Sequence, residues 1–279
     1  MKSIPFFSIV IPFCYKNRYS IFQLKRCIES IRSQSFNDFE IIVSTPNYFA
    51  KLNKRKFFEN IRVIDSKKKD GYIHDNVNSA ILAAKGKWIK ILFSDDFFEN
   101  HNGLKNLYNF INKNNYQWVI LNSIHITENK NDLIKPLIPY YQKHILSINT
   151  IGSPSALAFC NKDSLLFDTK SWMRLDVDFY FKLNKKFGMP GLLSNTYIVN
   201  ELHENQESNL LRKISSETKK KLNNELNYLS EKYNYRLPNK LKLIILKIYI
   251  KLERRVFQLI FNLNKSKFEG LKVPIFDIF

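Results

Sequence analysis

The 279-residue chain is long enough to bury a sizeable core, and its 44% hydrophobic and 14% aromatic content excludes a disordered polymer. Its formal charge of +19 is unevenly placed: residues 210–279 hold 16 Lys and Arg against 6 Asp and Glu, a net +10 in the last quarter. Such a basic balance points to polyanionic partners, namely nucleic acid, anionic lipid or phosphate-bearing small molecules.

The opening stretch MKSIPFFSIVIPF is broken by Pro5 and Pro12 and is too short for a signal peptide or a membrane span, and no later window reaches about 18 uninterrupted apolar residues. Cys14, Cys27 and Cys160 show neither CxxC spacing nor an even-numbered framework, so they read as reduced core residues of a cytoplasmic protein. Five short, β-branched runs follow one another: FSIVIPF (7–13), FEIIVS (39–44), IRVID (61–65), WIKILF (88–93) and QWVILNSI (117–124). Nearly continuous apolar runs of this length predict buried parallel strands. Between them, Ile21, Leu24, Ile28 and Ile31 recur at helical spacing within 19–34, as do Val77, Ala80, Ile81 and Ala84 within 74–84. Alternating strands and helices predict an α/β fold with a doubly wound, mostly parallel sheet flanked by helices.

Ligands of such sheets bind outside the carboxyl ends of the strands. Here those ends are Pro12–Arg18, Ser44–Asn47, Asp65–Lys69 and Ser94–Asp96, and no GxGxxG or GxxxxGK[ST] pattern explains the edge. Asp95 and Asp96, side by side where WIKILF ends, either hold a cation or cap a helix starting near Phe97.

Four segments in this order resemble the family-two glycosyltransferases of the GT-A fold. SIVIPFCYKNR (8–18) resembles the opening strand and nucleotide loop, and DNVNSAILAAKGKWIKILFSDD (75–96) resembles the donor helix followed by the metal-binding aspartates. GSPSALAF (152–159) with LDVDFYFKL (175–183) resembles the acceptor side that carries the base, and LHENQESN (202–209) the late segment that closes over the donor. The resemblance implies a GT-A domain over 1–210, followed by a basic helical extension over 211–279. It implies an inverting transfer of a sugar from a nucleoside diphosphate to a hydroxyl of a glycan or lipid-linked acceptor, set in bacterial O-antigen or capsule synthesis. Asp176 would be the base, with Asp178 as the fallback. Pro12, Asn17, Arg18, Ser44, Asp75, Asn78 and Asp95 would meet the donor, and Asp95, Asp96 and His203 would hold a divalent Mn²⁺ or Mg²⁺. Three acids that the family usually shows are replaced, by Ser44, Phe93 and Leu175. The opposing function is therefore a nucleotide-sugar-binding or assembly subunit with the same fold and little catalysis.

Over 239–265 the tail reads NKLKLIILKIYIKLERRVFQLIFNLNK. At about 100° per residue, Lys240, Lys247, Lys251, Arg254, Arg255, Gln258, Asn262 and Lys265 share an arc of about 100°, which leaves a broad apolar face. That face predicts either a helix lying on an anionic membrane surface or one packed on the catalytic domain or on a second subunit. Nucleic acid is not expected, because the cations are backed by aliphatics and no nucleic-acid module accompanies them.

Overall fold

A computed structural model describes residues 3–46, 56–66, 73–127, 133–137, 139–162, 165–202 and 216–263. The elements run β1 (Phe7–Pro12), α1 (Arg18–Arg32), β2 (Phe39–Thr45), β3 (Ile61–Asp65), α2 (Ile73–Ala83), β4 (Trp88–Ile91), β5 (Asp96–Phe98) and α3 (Gly103–Lys113). They continue through β6 (Trp118–Thr127), β7 (Leu133–Leu137), β8 (Leu157–Cys160), α4 (Leu175–Phe187), β9 (Gly191–Leu202), α5 (Ser216–Tyr233) and α6 (Lys240–Leu263). His203 falls outside the described residues.

Every residue of β1 is buried, because the strand is covered on both faces. Phe7, Ile9 and Ile11 join Leu24, Ile28 and Ile31 of α1 in one core cluster. Val10, on the other face, joins Val77, Ala80 and Ile81 of α2 in a second. The predicted helices thus exist within a residue or two and bury the apolar stripes that predicted them.

One sheet in the order β3-β2-β1-β4-β8-β6-β9-β5 organises the molecule, with β7 paired to β6. The first four strands are parallel, as expected. Beyond them the expectation of parallel neighbours fails. β8 enters antiparallel between β4 and β6, β5 lies antiparallel to β9, and only the β6–β9 pair is parallel on that side. The reason lies in the signal itself: a strand buried on both faces looks the same in sequence whichever way its neighbour runs. The extra strands also take up segments for which no strand was expected, including GSPSALAF, which forms a short 3₁₀ turn at Pro154–Ala156 and then β8.

Helix α5, which the sequence assigns to the extension, is fastened to the chain before and within α4. The Glu225 carboxylate accepts from the backbone N–H groups of Trp172, Met173 and Arg174 at 2.7–3.1 Å. Tyr233 stacks at a tilt on Phe181 with centroids 4.6 Å apart.

Candidate active site

The carboxyl ends of β1, β2 and β3 stop level with one another, Pro12 opposite Ser44 and Thr45 opposite Asp65. Against that edge stands the first turn of α2, where the Asn76 amide donates to Phe13 O at 3.2 Å. Four buried polar atoms here, Ser44 Oγ, Thr45 Oγ1, Ser66 Oγ and Asn76 Oδ1, have no hydrogen-bond partner among the described residues. Buried polar groups are nearly always paired, so four orphans at one strand edge mark ground for a polar ligand.

The other donor-side residues divide. Asp75 is buried in the same turn of α2, with His74 Nε2 3.6 Å from its Oδ2. Asn78 is occupied elsewhere: it donates to Phe167 O at 2.9 Å and accepts from Phe167 N at 2.8 Å. Asn17 caps α1, accepting from Ser20 N at 3.0 Å in a capping box, and Arg18 opens that helix in solvent. Pro12 is the buried last residue of β1. Of the sequence-predicted donor contacts, the structure gathers Pro12, Ser44 and Asp75 at the strand edge, while the side chains of Asn17 and Asn78 have structural work.

From β4 the chain crosses the edge through Phe93, Ser94 and Asp95 and enters β5 at Asp96. No helix starts near Phe97, so the capping alternative fails: the next helix, α3, begins at Gly103. The Asp95–Asp96 turn is held from two sides. Arg26 Nη2 donates to Asp95 O at 3.1 Å, and the same guanidinium is paired with Glu201 at 2.6 Å, both side chains being buried. Its guanidinium carbon also lies 4.4 Å from the centre of the Phe97 ring. Gln23 and the Tyr19 hydroxyl complete the Glu201 carboxylate at 2.9 and 2.7 Å. Breaking a buried pair by deleting one partner strands the other charge. Glu201→Ala is therefore expected to lower unfolding free energy by about 3–5 kcal/mol, read as a fall in the urea midpoint.

On the other side Ser153 Oγ donates to Asp96 Oδ2 at 3.2 Å, and Phe93 N donates to Ser155 Oγ at 2.8 Å. Burial first, and the neighbouring Asp95 charge second, push the Asp96 carboxyl up to about 7, against the hydrogen bonds of Ser155, Asn200 and Ser153. Beneath it Lys90 has 0% exposure and donates to Ile91 O at 2.7 Å and to Ser155 O. Burial pulls its ammonium down to about 7, while Asp96 acts to keep it charged.

Asp176 stands in the first turn of α4. Its Oδ1 accepts from Val177 N at 2.8 Å and its Oδ2 from the Asn149 amide at 2.6 Å. Burial raises its carboxyl to about 6, with the hydrogen bonds and the Arg174 charge opposing. Asn149 also organises the loop toward Asp96: its Oδ1 accepts from Ile151 N and Gly152 N at 2.9 and 2.8 Å. Gly152 takes φ +99° there, a left-handed conformation natural to glycine, and its carbonyl accepts from the Tyr180 hydroxyl at 2.8 Å. One loop thus holds Asp176 at Asn149 and Asp96 at Ser153. None of Asn149, Ser153 and Ser155 was singled out as a site residue from sequence.

Asp178 has a different occupation. Fully buried, it takes Lys182 at 3.0 Å, Lys232 at 2.8 Å and the Tyr233 hydroxyl at 2.6 Å. It anchors α5 on α4. Asp178→Ala leaves Lys182 without its carboxylate and Lys232 with Asp168 alone, so it is expected to cost about 3 kcal/mol and to open α5 to limited proteolysis.

Among the described residues no group of three or more His, Cys, Asp or Glu side chains is gathered as a metal cage. The pair Asp95 and Asp96 nevertheless suits a hard divalent cation, which needs few carboxylates when diphosphate and water oxygens complete its shell. Two adjacent acids, one pushed up by burial beside the other, are the donor set that such an ion relieves.

A search of curated proteins finds no match. Among solved structures, the Staphylococcus aureus TarS 1–349 complex with UDP-GlcNAc superposes with a TM-score of 0.56 at 17% identity, over 72% of this chain and 59% of that one. The UDP complex of the same fragment gives 0.55 at 15% identity, over 78% and 64%. This chain therefore spans about three fifths of the TarS fragment, and at these identities the likeness concerns the fold. The model of "Glycosyl transferase family 2" matches residues 8–167, and with more than half of its length so matched, the chain belongs to that family.

Proposed function

We propose that this glycosyltransferase moves a sugar from a nucleoside diphosphate to a hydroxyl of a glycan or lipid-linked acceptor, with inversion and with Asp176 as general base. The observation that carries the reading is the loop 149–155, which holds Asp176 at one end and Asp96 at the other. A base must lie near the reacting hydroxyl while the leaving group lies at the donor edge, and this loop couples the two in one hydrogen-bonded unit.

The acceptor hydroxyl gives its proton to the Asp176 carboxylate as its oxygen bonds to the anomeric carbon. The bond from that carbon to the diphosphate oxygen breaks on the opposite face, and the electron pair leaves with the diphosphate. Asn149 and Val177 N fix the carboxylate plane, and burial places its basicity close to neutral pH, where a base is most effective. The orphan hydroxyls of Ser44, Thr45 and Ser66, with Asp75, would meet the nucleoside. Asp95 and Asp96, joined by His203 from the segment after β9, would hold Mg²⁺ or Mn²⁺. Bound there, the ion would neutralise charge developing on the leaving diphosphate. A bacterial surface polysaccharide is the setting that the family resemblance supports.

The test is turnover of UDP- and GDP-sugars with Mn²⁺, following nucleoside diphosphate release and the anomeric configuration of the product by proton NMR. Release with retained configuration would overturn direct displacement. Tight donor binding without release from any donor would favour the binding-subunit reading, which the phenylalanine at position 93 in place of an acid supports.

A further inference from the structure

We propose that α6 is a docking element that lies flat in the interface of an anionic phospholipid bilayer, an inference independent of the transfer chemistry. A surface helix ordinarily turns its apolar stripe inward and its polar face to water. Helix α6 does the reverse over much of its circumference. Leu241, Ile245, Ile248, Leu252, Val256 and Leu259, spaced by three or four residues, form one stripe and are each 54–66% exposed. Ile244 and Tyr249 widen it. The inward side is narrow: Ile250 is buried, with Leu243 and Leu246 half-buried on the same side, and the helix meets the fold at β7. The outward stripe amounts to contiguous apolar surface on the order of several hundred Å², at or above the largest patch that a soluble monomer usually shows.

Charge selects the occupant. At about 100° per residue, Lys240, Lys247, Lys251 and Arg255 line one margin of the stripe and Lys242 the other, all exposed. A helix with an aliphatic face bordered by cations matches acyl chains beneath anionic headgroups. A second copy docked through the same face would bring equal cationic margins together, since such an interface is self-complementary. A nucleic acid would leave the aliphatic stripe in water. Crossing the bilayer is not what the helix is made for: among the described residues no helix is long and apolar enough to span a membrane.

The attachment also reaches the site. Helix α6 follows α5, which is pinned through Lys232 and Tyr233 to Asp178 of α4, the helix that carries Asp176, and His144 holds Tyr235 of the connecting segment at 2.6 Å. A docked α6 would therefore hold the base-bearing helix at the lipid surface, where a lipid-linked acceptor resides.

The test is co-sedimentation of the full chain with vesicles of phosphatidylcholine alone and of phosphatidylcholine mixed with phosphatidylglycerol. Expected is about tenfold stronger partitioning onto the anionic vesicles, weakened by added salt and reduced about tenfold in the Ile248→Ser/Leu252→Ser double variant. Both residues are exposed, so the variant should keep its melting temperature and its nucleotide-sugar binding, and a transferase that fails to bind vesicles is thereby separable from a misfolded one. The proposal is overturned if the chain stays in the supernatant with both vesicle types, if the double variant partitions like wild type, or if ultracentrifugation shows a dimer that the double variant converts to monomer. The last outcome would mean that a second copy covers the stripe.

Discussion

Asp176→Asn lowers kcat for sugar transfer by about 10²–10⁴-fold while leaving donor affinity within about twofold. The asparagine keeps the shape of the side chain and can still accept from Val177 N or Asn149, but it cannot take the acceptor's proton. Donor binding survives because the hydroxyls at the β1–β3 edge and the Asp95–Asp96 turn are untouched. In the wild type the carboxyl, raised by burial to about 6, must be ionised to act, so kcat should fall about tenfold per pH unit below pH 6. Stability moves the other way. Because the folded value lies above the unfolded one of 3.8, the native state holds a proton that the unfolded chain has lost between the two. The contribution of this group is fully present below the unfolded value and is lost as pH rises through the folded one. At neutral pH the buried charge is therefore a cost, and Asp176→Asn should unfold at an equal or higher urea concentration than wild type. A variant that retained wild-type kcat would remove Asp176 from the reaction. One that lost activity together with donor binding and stability would reduce it to a structural group.

That Asp176, rather than Asp178, stands beside the loop was not readable from LDVDFYFKL. Two residues apart on a helix, the carboxylates point about 160° away from each other, so one face takes Asn149 and the other takes α5. The family resemblance put Asp176 first, but the physical reason for the split lies in where α5 docks, and its contacts come from residues more than fifty positions away. The local elements were legible because each carried its own signal: β1 to β4 as nearly continuous apolar runs, α1 and α2 as apolar residues at helical spacing. Strand direction was not, since β8 reads alike parallel or antiparallel once both faces are buried. The helix cap proposed for Asp95 and Asp96 fell for a related reason, as Asp96–Phe98 forms a short strand against β9 that only the distant partner specifies. Lys90 did carry a signal: a lone cation within the run WIKILF cannot reach water from a central strand and must find buried acceptors, here Ile91 O and Ser155 O. In α6 the periodicity separated polar from apolar faces correctly, but burial of the apolar face is a default that the structure contradicts for most of it.

Asp95→Ala abolishes the metal-dependent stabilisation that a nucleotide-sugar donor gives the wild type. A ligand that binds only the native state adds about 2.7 kcal/mol at a hundredfold excess over its dissociation constant, which for a chain of this size is a rise in melting temperature of roughly 5–10 °C. Wild type should show that shift with donor and Mn²⁺ together and a smaller one with donor alone. In the variant the donor should behave alike with and without Mn²⁺, and kcat should fall by about 10²–10³-fold. The substitution is a clean probe because the fold holds the turn through backbone atoms and neighbours. Arg26 donates to the Asp95 carbonyl, which alanine retains, and Phe93 N and Asp96 are held by Ser155 and Ser153. The melting temperature without ligands should therefore stay close to wild type. Phe93 makes the result informative in either direction, since it packs against the core where the family resemblance expects an acid, leaving two carboxylates at the turn. If Mn²⁺ shifts the wild type, two carboxylates with the donor's own diphosphate suffice to hold the ion. If donor binding proves indifferent to both Mn²⁺ and Asp95, the acid lost at position 93 has ended metal dependence, and neutralising the leaving group would have to fall to the chain's own cations.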